Sequence, residues 1–352
     1  MGRLDLLWGD EAPRMPVRYY LPLAALAAVP PSYYLGAIWY MPLALLVLFT
    51  TMDALLGIER LAPSAAVAPI VHRLVPWLYI PAQLAALLWS ASVARETRDI
   101  VDLLGLAVAL GLLAGIFGML AAHEMIHSPR RWERLLGLSM LASVGYPHFS
   151  ISHLVGHHRH AGTVGDPATA RRGESAYGFL MRSISGQAAE AWRFECRRAH
   201  WHGGTLLGNR VLRYSAIALA IDGGIALAFG PLALLFQIIT SAMAILVLEL
   251  FNYVAHYGLA RSNQSDGTLE PFGPQHSWNA PQRFNNWALL NGGWHSDHHA
   301  RPAAFYQHLH PVAAEPELPM GYAGSILLAL VPPLWRRVME PRIERLAAAP
   351  LA

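Results

Sequence analysis

Four short stretches of the chain concentrate imidazoles: HEMIH (His123, His127), SHLVGHHRH (His153, His157, His158, His160), FNYVAHYGL (His256) and NGGWHSDHHARP (His295, His298, His299). A neutral imidazole offers a ring lone pair of the kind a borderline transition metal takes. HEMIH also fits H-E-x-x-H, the helical zinc signature in which the glutamate, here Glu124, serves as general base. His123/His127 and His153/His157 are four residues apart, and His295/His298/His299 combine i,i+3 with i,i+4. Each set is therefore expected to project from one helix face. Gly292-Gly293 before the last set and Pro302 after it frame a short helix. One HxxxH arises readily by chance, and a solitary His256 reads as an interfacial side chain. Three clusters at helical spacing, each at the edge of an apolar run, point jointly to metal.

Eight motif histidines plus His256 make nine, too many for one zinc and suited to two sites of four or five ligands. No carboxylate obviously bridges them. Nitrogen-rich, open, two-metal sites suit iron and oxygen chemistry better than hydrolysis. HEMIH also lacks a third zinc ligand at the local protease spacing, which leaves a membrane zinc metalloprotease as the minor alternative.

The elements that must carry these groups are membrane spans. The chain has 352 residues, 54% hydrophobic and 14% charged, with a mean hydropathy of +0.32, and HEMIH directly follows the uncharged run 103–122. Apolar runs of about 20 residues predict six spans, near 20–38, 39–58, 75–93, 101–122, 211–229 and 231–253. Pro30-Pro31 interrupts the first of these, and 135–146 is too short to span and reads as an interfacial or re-entrant helix. All 26 basic residues are arginine; eleven lie within 129–210, seven follow Tyr253, and none separates the last two spans. By the positive-inside rule the middle block, the tail and both termini face the cytoplasm. The expected fold is an all-α integral membrane protein, one domain over residues 1–352. About six transmembrane helices carry a cytoplasmic helical cap, built from 123–210 and 254–352, that holds a histidine-rich di-metal site. A net charge of +3 argues against nucleic acid, and the single cysteine, Cys196, excludes an internal disulfide or a cysteine-based metal site. The charged preamble 1–18 does not resemble a cleaved signal peptide.

The segments HEMIHSPRRWER, SHLVGHHRHAGTVGDPATARRGES, LELFNYVAHYGLAR, HSWN, HSDHHARPAAFYQHL and the tail LPMGYAGSILLALVPPLWRRVMEPR resemble the bacterial membrane-bound alkane 1-monooxygenase family. That family lies within the membrane fatty-acid desaturase and hydroxylase superfamily. The resemblance covers most of 100–345; before about Val75 it extends only to hydrophobic spans. HYGL after a final span and GDPA after the second cluster are more specific than the histidines alone. What the resemblance implies is a di-iron enzyme of the bacterial inner membrane with its active site on the cytoplasmic side. Two non-haem irons, O2 as co-substrate and electrons from a rubredoxin-type carrier with its NAD(P)H-dependent reductase would hydroxylate the terminal carbon of a medium- or long-chain alkane dissolved in the membrane.

Transferred position by position, the resemblance makes His123, His127, His153, His157, His158, His256, His295, His298 and His299 the metal ligands. His148, His160 and His276 are placed around them rather than on the metal. The family's usual glutamates before the second cluster and before the HYG histidine are replaced here by Ser152 and Ala255. Glu124, Asp166, Glu249 and Asp297 remain as acids that could orient ligand imidazoles; Asp166 is equally readable as a turn residue before Pro167. No cysteine tetrad or nucleotide-binding fingerprint is present in the sequence, so electrons are expected from a separate protein. Arg130, Arg131, Arg171, Arg172, Arg197 and Arg198 could dock an acidic carrier or simply meet lipid headgroups. An aryl-methyl or fatty-acyl hydroxylase, or a desaturase, is the sibling reading on the same scaffold. Chain-length preference and oligomeric state are not legible.

Overall fold

A computed structural model describes residues 16–60, 69–97, 99–201, 204–264, 266–312 and 315–348; the preamble up to residue 15 lies outside them. Among the described residues the named elements are all helical, and extended pairing is limited to the isolated bridges Ile58–Gln282, Asn263–Leu269 and Asn279–Glu317.

The N-terminal apolar region differs from the expected pair of full spans. Residues 20–38 form two short helices, α1 (Leu21–Ala27) and α2 (Val29–Tyr34), joined at Ala28. The break follows from Pro30 and Pro31, which have no N–H to continue a ladder and are tolerated only in the first turn of a new helix. α3 (Tyr40–Leu56) has 17 residues, about 26 Å along its axis, and ends at Gly57 with φ 66°.

Among the described residues, four helices are long and apolar enough to cross a membrane: α4 (Pro69–Glu96), α5 (Ile100–Ile126), α8 (Arg210–Phe229) and α9 (Pro231–His256). Polar side chains set two of their starts. Asp99 accepts the N–H groups of Val101 and Asp102 at the head of α5, and Asn209 accepts that of Leu212 at the head of α8. Gly230, at φ 92°, makes the one-residue turn between α8 and α9. Between these pairs lie α6 (Arg131–Ser143) and α7 (Ala176–Trp201). After α9 come the short α10 (Arg283–Ala288) and α11 (His295–Ala300), then α12 (Tyr322–Ala329) and α13 (Pro332–Ala348).

α5 and α9 run parallel and touch closely because α5 carries Gly111-x-x-x-Gly115. A Cβ on Gly111 would lie 2.5 Å from that of Met243, and one on Gly115 would lie 2.6 Å from that of Val247. Small residues four apart let two backbones approach where lipid supplies no hydrophobic drive. The register matters downstream: His123 is eight residues past Gly115 and His256 nine past Val247, so both histidines leave the helix pair at one level.

Candidate metal centre

Two backbone irregularities present the imidazoles. α5 contains a π turn at Ala114–Gly118, before His123, and a second π turn, Ser152–His157, carries the second cluster. A π turn closes its hydrogen bond i→i+5 and so brings residues five apart to one side. This changes the expected grouping. His153 and His157, four apart, part company, whereas His153 and His158, five apart, come together. The last cluster also divides, His298 to one group and His295 with His299 to the other.

The result is a group of five, His123, His127, His153, His158 and His298, beside a group of four, His157, His256, His295 and His299. Within each group one nitrogen of every ring lies within 4.8 Å of the others. The Nε2 atoms of His127, His153 and His158 form a triangle with sides of 3.0 to 3.2 Å, and His295 Nε2 lies 3.1 Å from His256 Nε2 and 3.2 Å from His299 Nε2. The groups adjoin: the rings of His158 and His299 are 4.7 Å apart.

These residues fit a metal pair. Nitrogens bound at roughly 2.0–2.1 Å to one ion stand about 3 Å apart, which matches the spacing. His157 Nε2 and His298 Nε2 are buried with no partner among the described residues, a costly state unless something binds them. Burial first, then neighbouring imidazoles, holds His127, His153, His295, His298 and His299 well below the ordinary histidine value and His158 down to about 2. The rings are thus neutral, with lone pairs available.

Of the four acids considered, one touches a clustered ring. Asp166 Oδ2 lies 2.8 Å from His157 Nδ1, while its other oxygen accepts the Ala168 N–H at 3.0 Å and Thr169 donates to Oδ2 at 2.7 Å. It is both turn residue and imidazole partner. Burial alone would raise its carboxyl; His157, Thr169 and the Ala168 N–H hold it below the ordinary value. The other three bind elsewhere. Glu124 accepts the Tyr306 N–H at 3.0 Å. Glu249 accepts from Tyr146, Ser183 and Gln187. Asp297 holds Arg301 and the His310 N–H.

His148, His160 and His276 lie outside both groups. His148 packs on Tyr146, His160 lies 3.8 Å from Glu190, and His276 accepts the Gly273 N–H. Ser152 donates to Gln187 at 3.3 Å, and Ala255 supplies a carbonyl to the Trp278 N–H.

Several positioning groups are not evident from the sequence. Glu133, fully buried, accepts from Ser128, from Arg73 at 2.9 Å and from Trp77 at 3.0 Å, tying the residue after His127 to α4 and α6. Asn279, in HSWN, accepts the Ser296 N–H and so holds the head of α11. Glu190 of α7 fills the notch left by Gly156 inside the second π turn, and burial pushes it up to about 7. Only the Gly at 156 and the HSWN string carried any signal of these contacts.

An apolar cavity of about 390 Å³ reaches the histidines; His123, His153, His295 and His298 are in its wall with Phe49, Ile116, Val247 and Leu290. The apolar cavity therefore ends against the candidate metal pair.

Comparison with known proteins agrees with this arrangement. The fatty acid desaturase family matches residues 102–326. Alkane 1-monooxygenase 2 of Pseudomonas aeruginosa is 36% identical over 93% of this chain and 91% of its own. The alkane 1-monooxygenase of Ectopseudomonas oleovorans is 36% identical over 87% of this chain and 77% of its own. The xylene/toluene monooxygenase hydroxylase component of Pseudomonas putida is 26% identical over 93% and 89%. HEMIH is accordingly part of a larger histidine set rather than a protease zinc site. The chain is a membrane oxidoreductase of the monooxygenase class and belongs to the alkane 1-monooxygenase family, within the desaturase and hydroxylase superfamily.

Proposed function

We propose that this protein hydroxylates the terminal carbon of a medium- or long-chain alkane to a primary alcohol. The observation that carries the reading is the apolar cavity with four of the nine clustered histidines in its wall. In this reading all nine histidines are iron ligands, five on one ion and four on the other. Bound there, the iron pair would supply reductive activation of O2. One oxygen atom goes into the C–H bond and the other leaves as water, with two electrons and two protons from outside the chain.

The chain's own residues do the rest. The cavity wall orients a chain that offers no hydrogen bond and keeps water from the reacting end. Asp166 fixes the ring of His157, leaving Nε2 free for the ion. Glu124 is not placed as a general base, since its carboxylate is engaged by the Tyr306 N–H.

The single cysteine leaves no site for an internal iron–sulfur relay, which supports a rubredoxin-type carrier served by an NAD(P)H-dependent reductase. Of the six arginines considered for docking, Arg130, Arg172 and Arg198 pair with Glu133, Glu340 and Glu195. Arg131, Arg171 and Arg197 make no ion pair among the described residues and are the proposed docking charges. Six crossings, with α1–α2 and α3 completing the four long helices, would place the histidines on the cytoplasmic side of the inner membrane. The outward-facing Leu43, Val47 and Leu55 of α3 support contact with lipid. The xylene/toluene relative supports one sibling reading, aryl-methyl hydroxylation.

The test is metal analysis of the purified protein followed by turnover under ¹⁸O2 on a ladder of alkanes and on toluene. Two irons per chain and a labelled primary alcohol are expected. One zinc per chain, or an unsaturated product, overturns the reading; faster turnover of toluene transfers it to the sibling.

A further inference from the structure

Glu249 is fully buried in α9, about two turns before His256, and its hydrogen bonds go to no imidazole. Only donors converge on its carboxylate. Tyr146 Oη donates to Oε1 at 3.0 Å and Ser183 Oγ to Oε2 at 2.6 Å. The Gln187 amide donates to both oxygens at 2.9 Å, and Asn252 reaches Oε1 at 3.4 Å. Ser183 spends its single proton on Glu249 and accepts from Gln187 Nε2 at 2.9 Å, which turns the amide nitrogen toward the carboxylate. Both oxygens therefore accept, and the short Ser183 contact is in the range of a charge-assisted bond. The pattern is that of an anion.

No cation answers it. Of the buried acids near the histidines, Glu133 is paired with Arg73 and Asp297 with Arg301, while Glu124 and Asp166 adjoin the clustered histidines directly. Among the described residues every hydrogen-bond partner of Glu249 is neutral. A lone charge inside a membrane-spanning helix is costly, and residues of this kind mark function. The nine imidazoles are neutral donors, so divalent ions held by them keep their full charge in a buried site. Glu249 lies seven residues before His256, about 10 Å along the helix, and Gln187 links it to Ser152, the residue before His153.

We infer that Glu249 is a counter-charge of the metal pair: a carboxylate held by neutral donors that offsets the charge of ions bound by the nine histidines while ligating neither. The inference rests on the two-metal reading above and adds a residue to it. At about 10 Å and an effective dielectric of about 20, one charge changes the affinity for a divalent ion by on the order of a hundredfold. Such an effect reaches both histidine groups, unlike a hydrogen bond to one ring.

The experiment uses the full-length protein in lipid nanodiscs, stripped of metal, with Co(II) as the probe and a competing chelator to read both affinities. Glu249→Gln removes the charge and nearly keeps the shape. Both ions should then bind about tenfold to a hundredfold more weakly. The metal-free Tm should stay level or rise, because a buried lone charge is gone. Glu249→Gln/Gln187→Glu exchanges amide and carboxylate, returns the charge, and should restore affinity to within about threefold. Ser183→Ala loosens the same network without changing its charge and should also stay within about threefold. With iron, Glu249→Gln should raise the midpoint potential by about 59 mV for each tenfold loss of ferric over ferrous binding. Wild-type affinities at both sites in Glu249→Gln overturn the counter-charge, as does a Ser183→Ala protein that binds as weakly as Glu249→Gln. Where Glu249→Gln does not fold, the exchanged pair and Ser183→Ala carry the test: retained binding in both supports the proposal, and weakened binding in either overturns it. Wild-type protein that binds a single Co(II) overturns the two-metal reading instead.

Discussion

The Nδ1 of His157 and the Oδ2 of Asp166 lie 2.8 Å apart, both fully buried, nine residues apart in the chain. The contact fixes which nitrogen of the ring points inward and raises its strength as a ligand. Because His157 belongs to the four-histidine group, the effect is confined to that site. Asp166→Asn is expected to weaken iron there by about 10–100-fold. Titration of iron into metal-free protein should show one site unchanged and one weakened. Equal weakening of both sites would indicate general misfolding instead.

Gly115 and Val247 set the register of the two helices that bear His123 and His256. Adding a methyl at 115 brings it to 2.6 Å from Val247 Cβ, and overpacking of this kind costs about 1–3 kcal/mol. Gly115→Ala should lower Tm by several degrees and reduce bound iron. Truncating the partner to give Gly115→Ala/Val247→Ala should recover part of both. Additive losses in the double variant would remove this contact from the register argument.

Leu112 is the cavity-wall residue of α5 farthest from His123, eleven residues away, about 16 Å along the helix. An extended chain advances roughly 1.2 Å per bond. The cavity's volume of about 390 Å³ can also be scaled from the roughly 150 Å³ that hold benzene. Together these correspond to a chain of roughly 13–16 carbons within the cavity. Leu112→Ala should move the preferred alkane longer by about two or three carbons, and Leu112→Phe should move it shorter. Product yields over an alkane ladder measure the shift, and an unmoved optimum in both variants would exclude Leu112 as the floor.

Glu195 of α7 is buried between Arg198 and Arg210, with contacts of 2.8 and 2.6 Å. Burial alone would raise its carboxyl, yet the two guanidinium groups and the Arg210 N–H hold it down to about 2. A folded value below the unfolded one, about 4.3, contributes stability that is complete above the unfolded value and is lost as pH falls through the folded one. Glu195→Gln should therefore lower Tm at neutral pH, and the gap to wild type should close between about pH 4.5 and 2. A gap of constant size down to about pH 2.5 would mean that the charge is not what stabilises the pair of helices.

What the chain declares by itself is local. The nine imidazoles, the uncharged run before HEMIH and the short helix framed by Gly292-Gly293 and Pro302 are read from neighbours a few residues apart. Their chemistry follows from residue type: neutral nitrogen donors in such number suit two ions better than one. The sorting of those donors into five and four was decided only by tertiary structure. The α-helical period pairs His153 with His157, but the π turn at Ser152–His157 pairs His153 with His158. The choice among Glu124, Asp166, Glu249 and Asp297 was likewise invisible. A carboxylate takes whichever donor the fold brings within reach, and for three of the four that donor is not a clustered imidazole. The break between α1 and α2 was legible in Pro30-Pro31, but that α3 supplies one wall of the cavity was decided by packing partners far away in sequence. Hydrophobicity alone measures how apolar a segment is, not what it leans against.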